Sequence, residues 1–354
     1  MPGLEPKTLL HAMLDANASD LHIKVGVPPM IRVHGDMAPL PGFPALTPED
    51  TRGIALSMID EEQRDSFNKT RELDCSYATE RARFRVNVML SKGNVGMVIR
   101  QIPIKIKTAQ ELNLPQICLD LAAKPRGLVL VTGPTGSGKS TTLAGMIDYI
   151  NQTEAAHIIT IEDPIEFVHS DKKSIINQRE VGSDTMSFTA ALKRALRQDP
   201  DVILIGEMRD LETIGAAITA AETGHLVFGT LHTTSAPQTI DRVIDVFPHE
   251  AQGQVRSQLA VTLQGVLSQN LVPKIGGGRA LALEVMVANG AIRNLIREGK
   301  IFQIPSAMQS GVKEGNQTLE MHLVSMVRGG IITEETALER ANDPGNVKQL
   351  LRGN

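Results

Sequence analysis

The sequence is poor in aromatic residues and cysteine, and it has no long apolar run. Its 354 residues include no tryptophan, two tyrosines, eight phenylalanines and two cysteines, Cys75 and Cys118. Few rings are available for stacking single-stranded bases, which argues against a nucleic-acid partner. The cysteines lie far apart without a CxxC pair, which excludes a zinc ribbon and a disulfide framework and favours a reducing, cytoplasmic setting. No segment approaches the roughly 18 apolar residues of a membrane span, so we expect membrane contact only through partners.

Neither sign of charge dominates the composition. The chain has 36 basic and 40 acidic residues, which give a formal net charge of -4. This balance argues against electrostatic wrapping around nucleic acid or an anionic membrane. The length leaves room for two or three domains of roughly 100 to 200 residues each.

The first hundred residues predict a small α+β domain. Apolar residues at helical spacing predict a helix at 4–17, which is followed by two short strands and a proline-rich loop. Helices are predicted at 48–60 and 61–70, before three β-rich runs, ELDCSYA, RFRVNVML and GMVIRQI, that fit an antiparallel sheet. We therefore predict a domain at 1–101 and a linker at 102–112, which begins with IPIKIKT.

Farther along the chain, apolar strands alternate with segments of helical period. The strands read GLVLVT, HIITIE, DVILIGE and HLVFGTL. Strands that are apolar throughout are covered on both faces, so this order predicts an α/β fold with a parallel sheet and helices on each side. We predict this domain at 113–289 and a helical region at 290–354.

A glycine-rich segment, GPTGSGKS at 133–140, follows the first of these strands and precedes a helical segment. Its glycines let the backbone turn tightly, so that amide groups point at the phosphates of a nucleotide. Lys139 adds a positive charge, and the helix that begins near it presents its positive dipole end to the anion. We predict ATP as the cofactor, with Mg2+ bound by Ser140. The residues predicted to bind the nucleotide are Gly133, Pro134, Thr135, Gly136, Ser137, Gly138, Lys139, Ser140 and Thr141.

Carboxylates follow two of the other strands. DVILIGE ends in Glu207, which the carboxyl edge of a parallel sheet would place beside the metal as a second ligand. HIITIEDPIEF continues into Glu162 and Glu166, and hydrolysis needs a carboxylate that orients or deprotonates the attacking water. We predict Glu162 as that base, with Glu166 as its rival. A solvated acidic turn after a strand is the alternative.

Histidines flank the fourth strand, in GHLVFGTLHTTS. His232 and Thr233 come where this strand leaves the sheet, and there they could sense the γ phosphate. The alternative is that His232, like His225 at the other end, is a packing residue. The spacing of the two histidines does not resemble a zinc site.

Arginines alternate along RARFRVNV. Alternation places Arg81, Arg83 and Arg85 on one face of a strand, and Arg100 lies on the strand that follows. We predict that Arg83 and Arg100 reach the phosphates held by a neighbouring subunit and stabilise transition-state charge. An exposed basic strand face is the alternative.

With these motifs the chain resembles the secretion-superfamily ATPases over nearly its whole length. The likeness is carried by GPTGSGKST, ITIEDPIEF, RQDPDVILIGEMRD and AETGHLVFGTLHTTSA. A further segment, AIRNLIREGK at 291–300, resembles the signature of the branch that retracts type IV pili. As a helix it would carry an apolar stripe of Ala291, Ile292, Leu295 and Ile296. The lack of a four-cysteine element favours this branch over the assembly ATPases.

The resemblance implies a RecA-like phosphate-loop ATPase core, a small PAS-like N-terminal domain and a helical C-terminal region. It also implies a homo-hexamer in which each N-terminal domain packs on the ATPase domain of the next subunit, with a hinge in the linker. The implied partners are an inner-membrane pilus platform protein and the machinery at the pilus base. The protein would be cytoplasmic, peripheral to the inner membrane, and would drive pilus retraction and twitching motility.

Two hypotheses from other classes stay open at this point. A nucleotide-dependent scaffold would bind ATP with little turnover. A nucleic-acid translocase could be built on the same core, although the acidic balance of the chain counts against it.

Overall fold

A computed structural model of the chain describes residues 4–33, 35–102 and 106–353. The contacts within it separate two compact units, Met1–Lys105 and Ile106–Asn354. Part of the predicted linker, residues 103–105, lies outside the described residues. Residues 106–112 pack inside the second unit, where the Leu112 side chain lies against Gly145. The predicted bounds at 101, 112 and 289 stay a prediction.

In its described residues, the first unit is an antiparallel sheet with three helices. The helices are α1 (Pro6–Asp15), α2 (Pro48–Met58) and α3 (Glu61–Thr70), and the strands are β1 (Asp20–Ile23), β2 (Met30–Val33), β3 (Asp36–Pro39), β4 (Glu72–Ala78), β5 (Arg83–Ser91) and β6 (Asn94–Ile102). Their order in the sheet is β3-β2-β1-β6-β5-β4. Strand β3 falls in the segment that we predicted as a proline-rich loop, because its short DMAP sequence carries no strand pattern.

Alternation along β5 explains which face of this sheet is covered. Phe84, Val86 and Val88 are fully buried and join the core that α1 and α2 cover. Arg83 and Arg85 point to the opposite face. Contrary to our prediction, Arg81 does not share that strand, since β5 begins at Arg83. Arg81 lies in the preceding turn and pairs with Asp15.

The second unit alternates helices and strands. Its strands are β7 (Gly127–Thr132), β8 (His157–Glu162), β9 (Ile175–Glu180), β10 (Val202–Ile205), β11 (Leu226–Leu231), β12 (Leu263–Pro273) and β13 (Arg279–Val287). Its helices are α4 (Gln116–Ala122), α5 (Lys139–Thr153), α6 (Phe188–Ala195), α7 (Leu211–Glu222), α8 (Ala236–Asp245), α9 (His249–Thr262), α10 (Gly290–Glu298), α11 (Ile304–Ser310), α12 (Leu319–Arg328), α13 (Glu334–Arg340) and α14 (Pro344–Arg352).

Seven strands in the described part of this unit form one sheet in the order β13-β12-β7-β11-β10-β8-β9. All neighbours are parallel except β13, which pairs with β12 in the antiparallel sense. The four predicted strands, β7, β8, β10 and β11, lie side by side at its centre, and every residue of β7, β10 and β11 is buried. Strands β9, β12 and β13 extend the sheet beyond our prediction.

Helices cover both faces of this sheet. One apolar cluster lies between the sheet and helices α6 to α10, and a second lies under α4 and α5. A third joins α12, α13 and α14 to the ends of β12 and β13. Within the described residues, no helix has the length and apolar character needed to cross a membrane.

Helix α10 corrects one detail of the predicted apolar stripe. Ile292 and Ile296 are fully buried and Leu295 is half-buried, but Ala291 is exposed. Ala291 occupies the first turn of the helix, beyond the edge of the apolar surface that the later residues cover.

Candidate nucleotide-binding site

The glycine-rich segment forms a loop between the C-terminal end of β7 and the N-terminus of α5. Gly133, Gly136 and Gly138 all have positive φ angles, of 139°, 78° and 91°. At Gly133 a Cβ atom would lie 2.3 Å from the Gln269 carbonyl oxygen, so no other residue fits without moving β12. The loop is therefore shaped by its glycines, with Pro134 exposed at its tip.

Lys139 is the first residue of α5, and its side chain folds back over the loop. Its Nζ donates hydrogen bonds to the carbonyl oxygens of Gly133 at 2.8 Å and Pro134 at 3.2 Å. Burial lowers the pKa of Lys139, against the opposing charges of Glu207 and Glu166. A cation, the free amides of a helix N-terminus and two nearby carboxylates thus surround one position suited to phosphate.

The sheet order brings the predicted acidic and histidine residues to the same edge. Parallel strands have their C-terminal ends together, and β7, β11, β10 and β8 are consecutive neighbours. Glu162 ends β8, Glu207 follows β10, and His232 follows β11. Glu207 therefore stands between His232 and Glu162, beside the loop.

Glu162 lies against a cavity of about 30 Å3 that it shares with Ser140, His169, Gly206 and Thr230. That volume exceeds the roughly 10 to 15 Å3 that one water molecule needs. The predicted metal ligand and the predicted base thus border one space large enough for a water.

Three hydrogen bonds hold the Glu162 carboxylate. Oε1 accepts from the Thr160 hydroxyl at 2.7 Å and from Gln178 Nε2 at 3.2 Å, and Oε2 accepts from the Glu166 backbone N–H at 3.4 Å. Burial raises the pKa of Glu162 against these hydrogen bonds, and the charge of Glu166 raises it further. Glu166 itself is exposed. A fixed carboxylate with a raised pKa suits a general base, and the choice of Glu162 over Glu166 stays a prediction.

Glu207 is held by two basic side chains. Its Oε1 accepts from His232 Nε2 at 2.9 Å and from Arg209 Nε. Burial would raise the pKa of Glu207, but the hydrogen bonds and charges of Arg209 and His232 hold it below its ordinary value. Glu207 is thus an anion near Lys139, and His232 is in contact with it. His225, by contrast, contacts the Ala220 carbonyl and is structural.

A much larger cavity, about 820 Å3, opens on the other side of the loop. Ser137, Gly138 and Thr141 line it together with Gln269 and His322. His322 Nδ1 accepts from the Leu283 backbone N–H at 2.9 Å, so Nε2 carries the proton and is a donor. Gln269 is 1% exposed, and its Oε1 has no hydrogen-bond partner among the described residues. The volume of this cavity beside the loop lies in the range of small-molecule sites, about 300 to 1,000 Å3.

The predicted arginines lie in the first unit. Arg100 Nε donates to Asp20 Oδ1 at 2.7 Å, and Arg85 is its register partner across β5 and β6. Arg83 Nη2 donates to the Ser76 hydroxyl at 2.9 Å. Within their own unit these arginines lie on a sheet face, and the phosphate loop belongs to the other unit, so their predicted role stays a prediction.

Sequence reasoning missed the side chains that hold the predicted residues in place. Thr160 and Gln178 hold Glu162, and Gln269 donates to the Thr142 hydroxyl at 2.8 Å behind the loop. His169 Nδ1 is buried and has no partner within the described part of the chain, and burial lowers the pKa of His169 to about 4. Thr160 lies on the same strand as Glu162, within ITIEDPIEF, whereas Gln178, Gln269 and His169 lie outside the quoted motifs and reach the site from other segments.

Comparison with known proteins gives a family and close relatives. The family described as type II/IV secretion system protein matches residues 72–343. The type IV pilus retraction ATPase PilT of Pseudomonas aeruginosa is 54% identical over 330 residues, which cover 93% of this chain and 96% of that protein. The twitching motility protein of Neisseria gonorrhoeae is 53% identical over 317 residues, or 89% of this chain and 84% of its own.

Two solved structures have a fold similar to that of this chain. The crystal structure of the pilus retraction motor PilT with bound ADP matches with a TM-score of 0.92 at 50% identity, and it covers 98% of this chain and 99% of that one. The ATPase DotB of Legionella pneumophila matches with a TM-score of 0.85 at 29% identity over 95% of this chain and 96% of its own. The predicted mixed α/β fold is thereby confirmed.

Proposed function

The chain belongs to the family of type II/IV secretion system proteins, and from this premise we propose that it is a motor ATPase that hydrolyses ATP to drive retraction of type IV pili. The geometry that carries the proposal is the cavity bordered by both Ser140 of the phosphate loop and Glu162 of the neighbouring edge. The phosphate loop and the proposed base therefore border the same cavity. The proposal of retraction instead of assembly is based on the similarity to a pilus retraction ATPase and a twitching motility protein.

In the proposed reaction, the loop amides and Lys139 hold the β and γ phosphates, and the N-terminus of α5 adds its positive dipole. The nucleoside lies in the large cavity beside Thr141, Gln269 and His322. ATP is thus gripped at its phosphates with the γ phosphate directed to the carboxylate edge.

The donor set near the γ phosphate suits Mg2+. Ser140 offers a hydroxyl and Glu207 an ionised carboxylate, and hard oxygen ligands are those that Mg2+ takes. Among the residues that the structure describes, no group of three His, Cys, Asp or Glu side chains could hold a metal alone. The nucleotide's own phosphates would have to complete the coordination, as they do where Mg2+ is bound with substrate. When bound, the metal neutralises charge that develops on the transferred phosphate.

Glu162 orients the attacking water and accepts its proton. The hydrogen bonds from Thr160 and Gln178 fix the carboxylate, and its raised pKa improves it as a base. His232, in contact with Glu207, is placed to respond to the presence of the γ phosphate. Glu207, the proposed metal ligand, is thus also the contact of the proposed γ-phosphate sensor.

Coupling to mechanical work needs more than one chain. We propose a homo-hexamer in which Arg83 and Arg100 act on nucleotide bound by a neighbouring subunit, and in which the linker at 102–112 is the hinge. The partners would be an inner-membrane pilus platform protein and the pilus base machinery, reached from the cytoplasmic side. If unassembled protein turned over ATP as fast as the assembled ring, the role of the arginines would be wrong.

Deletion in the source organism tests the proposed function most broadly. Loss of twitching with excess surface pili would support retraction, and complementation with Glu162→Gln should fail to restore movement. Loss of pili altogether would reassign the protein to assembly. Full movement without the gene would reject the proposal.

A further inference from the structure

Glu284, on β13, is a buried carboxylate placed between the ends of two helices. It is 6% exposed. Its Oε1 accepts a hydrogen bond from the Ala236 backbone N–H at 2.6 Å, and the carboxylate also accepts one from the Leu319 backbone N–H. Ala236 and Leu319 are the first residues of α8 and α12. One side chain therefore satisfies the N-terminal amides of two helices.

This arrangement has a clear physical reason. The first amides of a helix have no partner within it, and the helix N-terminus carries positive partial charge. A buried carboxylate is costly unless hydrogen bonds compensate it. Ser235 and Thr318 cap amides farther inside the two helices, at distances of 3.4 Å and 3.3 Å. Glu284 thus accepts hydrogen bonds from the first amides of both helices and links α8 to α12.

The start of α8 is also the end of the histidine loop, residues 232–235. Within this loop, the Thr234 backbone N–H donates to Gln238 Oε1 at 2.9 Å, and the hydroxyls of Thr233 and Thr239 are 2.7 Å apart. The loop is therefore folded onto the first turn of α8. A shift of Ala236 would move the residue that contacts Glu207, which is His232.

Glu284 also lies in register with the strand that precedes the phosphate loop, with β12 between them. Its partner across the sheet is Ser268. The Ser268 hydroxyl accepts from the hydroxyl of Thr132, the last residue of β7, at 2.9 Å. Thr132, Ser268 and Glu284 thus form one buried polar row that runs from the end of β7 to the starts of α8 and α12.

From this geometry we infer that Glu284 is a positioning residue, which sets His232 against Glu207 by holding the first residue of α8 and couples that placement to helix α12. The inference rests on the proposed ATPase function, in which Glu207 and His232 act on the γ phosphate.

The neighbouring carboxylate Glu320 provides a matched control. It is also 6% exposed, and its Oε1 accepts from the backbone N–H groups of Asn342 and Asp343 at 3.1 Å and 3.2 Å. It therefore serves the start of α14, away from the histidine loop. Glu320→Gln matches the chemistry of Glu284→Gln and leaves the hold on Ala236 in place.

The test compares the turnover and ATP affinity of the full chain with those of Glu284→Gln and Glu320→Gln. Burial, with the charge of Glu320, raises the pKa of Glu284 to about 7, so assays are run at pH 8, which favours the ionised carboxylate. Glutamine has one acceptor oxygen and cannot satisfy both helix ends. We expect kcat to fall at least about fivefold in Glu284→Gln, with ATP affinity within about twofold of the wild type, and kcat of Glu320→Gln to be unchanged.

A second variant removes the donor instead of the acceptor. Ala236→Pro deletes the amide that Glu284 holds, at a first helical position that accepts proline and after an extended Ser235. It should lower kcat in the same way, even if Glu284→Gln does not fold. Wild-type turnover in both variants, or an equal loss in Glu320→Gln, would overturn the positioning role alone. An inactive wild-type protein would overturn the proposed function and this inference together.

Discussion

The phosphate loop and the carboxylate edge lie side by side but are built from different groups. The loop consists of backbone, with three glycines at positive φ and one lysine folded over them. The edge consists of side chains, Glu162, Glu207 and His232, whose ionisation depends on burial and on hydrogen-bond partners. Because of this difference, we expect backbone geometry to determine the affinity for ATP and side-chain chemistry to determine the turnover of ATP. Substitutions on the two sides should therefore separate these quantities.

The largest effect is expected on the backbone side. Gly133→Ala forces a Cβ into the 2.3 Å gap to the Gln269 carbonyl at a φ angle of 139°. We expect ATP affinity to fall on the order of 100-fold, because the loop must distort or β12 must move. Equilibrium binding of ATP with Mg2+ measures this.

Gly136→Ala is the matched control. Gly136 also has a positive φ angle, but a Cβ there would meet no atom within 4 Å. It should cost far less affinity than Gly133→Ala. Equal losses in both variants would contradict the role given to the close approach of β12.

On the side-chain side, Glu162→Gln should lower kcat about 100-fold while ATP affinity stays unchanged, because a general base is lost and no phosphate contact is. Steady-state turnover and equilibrium binding together check this. Glu166→Gln is the paired variant, since Glu166 is exposed and borders the same edge. A larger loss of kcat in Glu166→Gln would exchange the two assignments.

The smallest expected effect is a change in the pH dependence of kcat. Burial raises the pKa of Glu162, so turnover should fall with decreasing pH at values above the ordinary 4.5, where the base becomes protonated. Thr160→Val removes a hydrogen bond that favours the ionised form, so the pKa of Glu162 should rise further and the acid limb of kcat should move to higher pH.

Thr262→Val controls for the loss of a buried threonine hydroxyl, since Thr262 bonds to the Gln258 carbonyl in α9. Its acid limb should match that of the wild type. A limb that stays in place or moves to lower pH in Thr160→Val would mean that Thr160 does not act on the base.

Local pattern made much of the fold predictable. The runs that became β7, β8, β10 and β11 are apolar throughout, as strands covered on both faces must be. Strand β9 reads IINQRE, and β12 is interrupted by Gln269 and Asn270, so neither has a clean apolar run. The pairing of these strands was decided by neighbours far away in sequence.

The candidate site divides in the same way. Residues 133–141 form a motif that one segment contains in full, and Glu162, Glu207 and His232 each follow a predictable strand. Gln178, Gln269 and Glu284 reach the site from strands that the sequence did not reveal, and their roles depend on long-range contacts. Chemistry that resides in a motif was therefore predictable, and the residues that support it were not.

We expect the loop at 133–140 to bind the phosphates of ATP and turnover to depend on this binding. Lys139→Ala tests this expectation most directly, with ATP binding and hydrolysis measured in the presence of Mg2+. Removing the cation should lower both affinity and turnover by about 100-fold or more, whereas Lys193→Ala, a surface lysine paired with Glu212, should leave both unchanged. A Lys139→Ala protein that binds and hydrolyses ATP like the wild type would contradict the role of this loop in binding the phosphates.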